Sequence, residues 1–217
     1  MRVHLILVDA LNLIRRIYAV QERPDYKKGR KKMPEHLADK LADIQDRFMA
    51  HHVDSLVSEA DEADDLIATL AVKVALRGQN VTIVSTDKCF LSLLSPNIQV
   101  YDYFNRRHLD QDYVVNKFSV KPDKLMDLWT LTGDTTNKIP GVAGIGQVTA
   151  SQLLNQYGSI KSILSAKDLK RSVSEKLAQH GEQISLSRKL LTLKIDIPLG
   201  FNLKDIRLPY ENPLAST

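Results

Sequence analysis

The chain alternates between short unbroken apolar runs and longer stretches in which apolar residues return every three or four positions. Residues 3–8, Val-His-Leu-Ile-Leu-Val, and 81–84, Val-Thr-Ile-Val, are runs of the first kind. Such runs predict strands buried on both faces of a parallel sheet. Residues 98–103 predict a third strand. Helical spacing covers 10–20, resumes after Met33-Pro34-Glu35, and is clearest at Leu66, Ile67, Leu70 and Val74 before the stop at Gly78. A short helix is expected over 89–94, ended by Ser95-Pro96, and another over 110–118. From Lys121 the strand pattern is lost until the tail. Helices are expected over 122–131 with Trp129 as a core anchor, over 147–156, from Gly158-Ser159-Ile160, and as one long helix over 172–193. Residues 196–209 read as extended, with a frayed end. Strands alternating with helices, then helices alone, predict an α/β domain over 1–120 and a helical domain over 121–217.

The helix that begins near residue 59 carries the densest charge. Glu59-Ala60-Asp61-Glu62-Ala63-Asp64-Asp65 holds five carboxylates in seven residues, and Ser58 with Asp61 has the spacing of a capping box. A helix dipole stabilises each acid in a first turn by about 0.3–1 kcal/mol, enough to account for one or two. At about 100° per residue, Asp61, Asp64 and Asp65 share a face flanked by Glu62, opposite the apolar stripe. Such a face is either simply solvated or organised around a cation, because like charges three and four apart repel. Hard carboxylate oxygens suit Mg²⁺, which keeps waters and takes few protein ligands. Asp9 directly follows the first apolar run, and Asp87 follows the second within Ser85-Thr86-Asp87-Lys88. Asp9 is either the cap of the next helix or a crevice residue. In open α/β sheets the functional crevice lies beyond the carboxyl ends of the strands. Asp9, Asp87 and the 62–65 carboxylates are therefore expected to converge.

Composition narrows the class. The 217 residues are 43% hydrophobic and 26% charged, which is ordinary for a globular protein long enough to bury a core. No apolar run approaches the roughly 20 residues of a membrane span, and the first residues lack a secretory signal. The single cysteine, Cys89, excludes an internal disulfide framework and a Cys-rich zinc site. A cytoplasmic protein is expected. Net charge is +4, and the bases lie apart from the acids. Residues 23–32, Arg-Pro-Asp-Tyr-Lys-Lys-Gly-Arg-Lys-Lys, hold six bases and one acid. The run is either a solvated loop or, with Tyr26 among the bases, a contact for a phosphate backbone and unstacked bases. An acidic pocket on a basic protein fits a metal site serving a polyanion.

Gly133-Asp134-Thr135-Thr136-Asn137-Lys138-Ile139-Pro140-Gly141-Val142-Ala143-Gly144-Ile145-Gly146 separates two expected helices. Pro-Gly-x-x-Gly-x-Gly there is either a glycine-rich connection or a helix-hairpin-helix. In the second case the amides of Gly144, Gly146 and Gln147 face outward at a helix N-terminus, ready for a phosphate. Contacts of this kind position a duplex without reading its sequence.

The carboxylates after the first two strands, Glu62-Ala63-Asp64-Asp65, Ser85-Thr86-Asp87-Lys88 and Ile139-Pro140-Gly141-Val142-Ala143-Gly144-Ile145-Gly146, taken in order, resemble the bacterial 5′ nuclease family. Its members cut 5′ flaps and include the nuclease domain of DNA polymerase I. The match runs from residue 3 to about 205 and is nearest to the stand-alone flap endonucleases. The resemblance implies a PIN-like parallel sheet flanked by helices, followed by a helix-hairpin-helix domain of the 5′-3′ exonuclease type. It implies Mg²⁺ at Asp64 with Asp9, Glu62 and Asp65 around it, partly through waters, and Asp87 in a second metal cluster. It also implies K⁺ held by backbone carbonyls at Leu131, Thr132, Pro140, Val142 and Ile145. DNA contacts are implied at Gly144, Ile145, Gly146, Gln147, Val148 and Thr149. Tyr26, Lys27 and Arg30 match the base of the arch through which a single strand passes. The partner implied is flapped or branched DNA without sequence preference, bound by a monomer away from any membrane.

Three positions depart from the family pattern. Cys89 stands where many relatives have a second aspartate, and Asn137 replaces the last aspartate of Gly-Asp-x-x-Asp while Asp134 remains. Between Gln21 and Glu22 the family carries a further helix and strand ending in a Phe-Asp pair, which this chain lacks. Loss of a central strand is expected to expose a sheet edge. The expected activity is Mg²⁺-dependent hydrolysis of phosphodiester bonds at 5′ flaps, with Lys88 or Arg30 adding electrostatic stabilisation. The rival is a DNA-structure binder of the same family with an impaired crevice. A PIN-type ribonuclease fits the duplex-binding hairpin poorly.

Overall fold

The computed structural model describes residues 4–22, 40–56, 58 and 60–201. Its first half is built on a four-stranded sheet in the order β1-β2-β3-β4. Strands β1 (His4–Val8), β2 (Asn80–Val84) and β3 (Ile98–Asp102) are parallel neighbours, and β4 (Arg107–Leu109) closes the far side antiparallel to β3. The register sets Val8 beside Val84 and Val84 beside Tyr101, so the carboxyl ends of three strands form one rim. Helices α1 (Ala10–Glu22), α2 (Leu41–Ala50) and α3 (Ala63–Ala75) make the crossover from β1 to β2. A 3₁₀ turn, Lys88–Leu93, makes the shorter crossover from β2 to β3.

The three expected strands form where the apolar runs lie, but β1 is buried on one face only. Leu7 faces the core while Ile6 and Val8 are 62% and 38% exposed. Among the described residues β1 has a neighbour on one side alone and so is an edge strand of the sheet. The short strand β4 gave no run in the sequence. Three residues with exposed Arg107 and His108 leave too little apolar pattern to read.

Helix α3 carries its stripe inward: Ile67, Ala68, Leu70, Ala71 and Val74 are buried against β1 and β2. Its start differs from the expected one. Glu62 is the N-cap residue, and Asp61 lies outside the helix. Ser58 instead closes a tight turn upstream, its Oγ accepting from the amides of Ala60 and Asp61. The capping-box spacing thus served a local turn of the kind serine favours. Gly78 ends the segment at φ +70°, where a side chain would be strained.

After α4 (Gln111–Phe118), a 3₁₀ turn at Pro122–Lys124 leads into α5 (Leu125–Thr132). Trp129 is buried on α5 and meets Phe118 edge to face at 5.8 Å, the core anchor expected of it. A two-residue ladder, β5 (Gly133–Asp134) with β6 (Ile139–Pro140), links α5 to α6 (Gln147–Tyr157). Then follow α7 (Ile160–Ser165), capped by Ser159 Oγ on the Ser162 amide, α8 (Arg171–Gln179) and α9 (Gly181–Leu191). The single long helix expected over 172–193 is therefore two, broken at His180-Gly181. Glycine in a helix interior costs about 1 kcal/mol, and the break lets Leu177 and Ile184 both reach the core. The core is continuous from Leu7 through Val100 and Trp129 to Ile184. Among the described residues no helix is long and apolar enough to cross a membrane.

Candidate metal centre

Parallel pairing of β1 and β2 puts their following residues side by side, with the Asp9 amide donating to Val84 O at 3.1 Å. Asp9 is buried and held at both oxygens: Asn12 N donates to Oδ1 at 3.2 Å and Ser85 Oγ to Oδ2 at 2.7 Å. The same Ser85 Oγ accepts from the Asp87 amide at 3.0 Å. Asp87 caps the 3₁₀ turn, its Oδ1 accepting from Cys89 N at 2.9 Å. Asn12 Oδ1 accepts from Thr86 Oγ at 2.8 Å, tying α1 to the same turn. Asn12 and Ser85 thus position two carboxylates, a role the sequence reading did not assign. Ser-Thr-Asp after a buried strand was the signal, since a buried hydroxyl there must find partners.

Asp64 projects from the first turn of α3 into this rim. One ligand atom each from Asp64, Asp87 and Cys89 lies within 4.8 Å of the others. Burial, and then the charges of Asp9, Asp87, Glu62 and Asp65, push the Asp64 carboxyl up to about 7. Asp9, Asp87, Glu62 and Asp65 thus all act on Asp64 in the same direction, and among the described residues Asp64 itself forms no ion pair. Burial also raises the Cys89 thiol, and the Asp87 and Asp64 carboxylates raise it further. The carboxylate set fits a hard divalent cation, since deprotonated, clustered oxygens lose their mutual repulsion on binding one.

The other site residues are placed as follows. Glu62 is exposed at the N-cap and makes no capping bond with its side chain. Asp65 is buried and engaged elsewhere, its Oδ1 accepting from Lys194 N at 2.9 Å. Lys194 Nζ stands 3.7 Å from Asp65 and 3.8 Å from Asp61. Thr69 and Lys73 donate to the Lys194 and Ile197 carbonyls, so the segment after α9 straps across α3. The shared face expected for Asp61, Asp64 and Asp65 is therefore divided. Asp64 serves the rim, whereas Asp61 and Asp65 face the strap. Tyr26, Lys27 and Arg30 lie outside the described residues.

Lys88, expected to stabilise charge in the crevice, points instead to the hairpin. Its Nζ donates to Asp134 Oδ1 at 2.7 Å and lies 5.3 Å from the centre of the Trp129 ring. Asp134 is buried, and also accepts from Thr136 N and Asn137 Nδ2, both at 2.9 Å. Burial acts against its charge, yet Lys88 and these donors hold its carboxyl below the usual range. Asn137, where the family pattern has aspartate, is here a donor to Asp134.

Beyond it, the hairpin backbone crosses closely. A Cβ on Gly141 would stand 2.2 Å from the Thr132 carbonyl carbon, and one on Gly133 2.6 Å from Gly141 N. Leu131 O accepts from Val142 N at 2.8 Å, and Val142 O from Ile145 N at 3.0 Å. Pro140 O accepts from Ser187 Oγ at 2.9 Å, which ties α9 to the turn. Thr132 and Ile145 flank this crossing. Gly144 has φ +74° and Gly146 is the N-cap residue of α6, and both are exposed, as are Gln147 and Val148, while Thr149 is half-buried. Lys176 Nζ donates to Gly144 O at 3.1 Å and adds a cation beside the turn.

Two family models match the chain. Residues 20–119 match the 5′-3′ exonuclease N-terminal resolvase-like domain, and 120–213 match the 5′-3′ exonuclease C-terminal SAM fold. The chain is 58% identical to the flap endonuclease Xni of Colwellia psychrerythraea, covering 96% of this chain and 93% of that one. It is 42% identical to the flap endonuclease Xni of Photobacterium profundum, over 95% and 98%. The first alignment runs over 269 positions against 217 residues in this chain, so the relative carries internal residues with no counterpart here. Among solved structures, T5 5′-exonuclease with bound zinc superposes with TM-score 0.71 at 20% identity, covering 88% of this chain and 90% of that one. That likeness is one of fold.

Proposed function

The chain belongs to the 5′-3′ exonuclease family, and from that premise we propose that it is a Mg²⁺-dependent endonuclease of 5′-flapped DNA. The observation that carries the reading is the gathering of Asp64 and Asp87, with ligand atoms within 4.8 Å of each other, and Asp9 at the carboxyl ends of β1 and β2, where burial and acidic neighbours push Asp64 up to about 7. Crowded carboxylates of this kind in a crevice are a feature of functional sites. Mg²⁺ bound there would lower the pKa of a water for attack and offset charge on the phosphate. Asp64 and Asp87 would hold it, with Glu62 reaching it through water. Asp9 orients the rim through Ser85 and Asn12.

The helical domain holds the duplex in this reading. Exposed amides at the start of α6 and the Lys176 ammonium meet the phosphates without reading bases. K⁺ would bridge the turn and a phosphate through the carbonyls of Leu131, Thr132, Pro140, Val142 and Ile145. Leu131 O accepts from Val142 N and Val142 O from Ile145 N, and a carbonyl has a second lone pair for an ion. Tyr26, Lys27 and Arg30 would guide the single strand. We place the protein in the cytoplasm as a monomer.

A second reading, an impaired DNA-structure binder, is favoured by the internal residues that the Colwellia relative has and this chain lacks. We assign that deficit to the Gln21–Glu22 junction, within the 1–120 domain. A labelled 5′-flap duplex with Mg²⁺ separates the two: the endonuclease releases the flap, and Asp64→Ala does not. Binding without release, in the presence of Mg²⁺, selects the second reading.

A further inference from the structure

Cys89 brings sulfur into a rim otherwise made of oxygen. It follows Asp87 in a turn fixed by the Cys89 N to Asp87 Oδ1 bond, so the backbone itself sets the two side chains together. The third donor comes from a separate element, Asp64 on α3. Two donors on one ion can be no farther apart than the sum of their bond lengths, about 4.4 Å for zinc with oxygen and sulfur. The present spread of at most 4.8 Å lies within about 0.4 Å of that bound.

We propose that Asp64, Asp87 and the Cys89 sulfur form a mixed oxygen–sulfur site for a thiophilic divalent ion of the Zn²⁺, Co²⁺ and Cd²⁺ class. Softness decides the ion. Mg²⁺ takes hard oxygen and leaves the thiol aside, whereas zinc-class ions gain from sulfur. On binding, the sulfur–metal bond replaces the S–H bond and the proton leaves to solvent. The fourth position is left to water, as in an open zinc site. Cys89 thereby sets which metal the crevice prefers, and a sulfur-held ion competes with Mg²⁺ for Asp64. This inference rests on reading the crevice as a metal centre.

Cobalt titration of the full chain tests it, because a thiolate bound to Co²⁺ gives a near-ultraviolet charge-transfer band. Cys89 is the chain's single cysteine, so any such band belongs to it. The expected result is a band that saturates at one equivalent. Asp64→Asn or Asp87→Asn should weaken the affinity read from that band by at least about tenfold, the scale on which even outer-shell partners matter. Cys89→Ser should lose Zn²⁺ affinity by a similar factor in a chelator competition while changing Mg²⁺ affinity less than about twofold. Low Zn²⁺ should inhibit Mg²⁺-supported flap cleavage less in Cys89→Ser than in the native chain. Circular dichroism of each variant checks that it is folded, with Cys89→Ala as the alternative if serine disturbs packing. Saturating Co²⁺ without a band overturns the proposal, as does a band of undiminished affinity in Asp64→Asn. If flaps are cut with Mg²⁺ but no band forms, the sulfur site alone is wrong. If neither occurs, the metal centre itself is wrong.

Discussion

Asp64 and Asp134 are acidic side chains of one molecule with opposite electrostatic fates. Both lose water on folding. Asp64 is pushed up to about 7 by burial and then by the charges of Asp9, Asp87, Glu62 and Asp65. Asp134 meets Lys88, Thr136 and Asn137 and is held below the usual carboxylate range. Desolvation is common to both, so the partner decides the sign. The contrast separates a carboxylate crowded by like charges from one neutralised by a cation and two amide donors. Lys88 comes from the 3₁₀ turn beside the crevice, and Asp134 from the hairpin between α5 and α6. Their ion pair joins the sheet-bearing half to the helical half.

The strongest test removes the unpaired acid. Asp64→Ala should lower flap cleavage by roughly three orders of magnitude, the scale of several kcal/mol of lost metal assistance. Flap affinity, measured by anisotropy, should change little. Cleavage at the native rate would erase the distinction between the two aspartates. Removing the paired acid should act on stability instead. Asp134→Ala strands a half-buried ammonium and should cost about 2–3 kcal/mol in urea unfolding, less than a fully buried pair because Lys88 remains partly solvated.

Acid titration sharpens the comparison, because the two groups contribute with opposite sign. The contribution of Asp64 is full below its unfolded value near 4 and is lost as pH rises through about 7. That of Asp134 is full above the ordinary carboxylate value and is lost as pH falls through its lowered one. In a chelator, the Asp64 contribution to unfolding free energy should therefore fall between about pH 4 and about pH 7, and Asp64→Asn should flatten that slope. Mg²⁺ should flatten it too, by binding the ionised form. A slope unchanged in Asp64→Asn would assign it to another group. The smallest effect is expected at Asp65. Asp65→Asn keeps an acceptor for Lys194 N but loses the charge facing Lys194 Nζ, so about 1 kcal/mol of stability should go. Its Mg²⁺ affinity, followed by calorimetry, should fall less than that of Asp64→Asn.

Part of this was legible in advance. Apolar runs placed β1, β2 and β3, because burial in a sheet leaves a contiguous mark. Aspartates at two strand ends, with the acidic start of α3, marked the crevice. Glycines marked the hairpin, where the Gly133 and Gly141 backbones leave no room for side chains. Other features were not legible. The division of Asp61 and Asp65 from Asp64 depends on Lys194, some 130 positions away, and a helical wheel holds no information about such a partner. The turn of Lys88 toward Asp134 likewise depends on how two halves dock.

The order of residues alone determined most of the elements, though not β4 or the break at His180-Gly181, and which strand ends carry carboxylates. Local periodicity and backbone preference act over a few neighbours, so the chain states them directly. Docking of α3, the 192–201 strap and the hairpin decided which acids are paired and which are left crowded. Charges interact through space rather than along the chain, and only the folded arrangement fixes those distances.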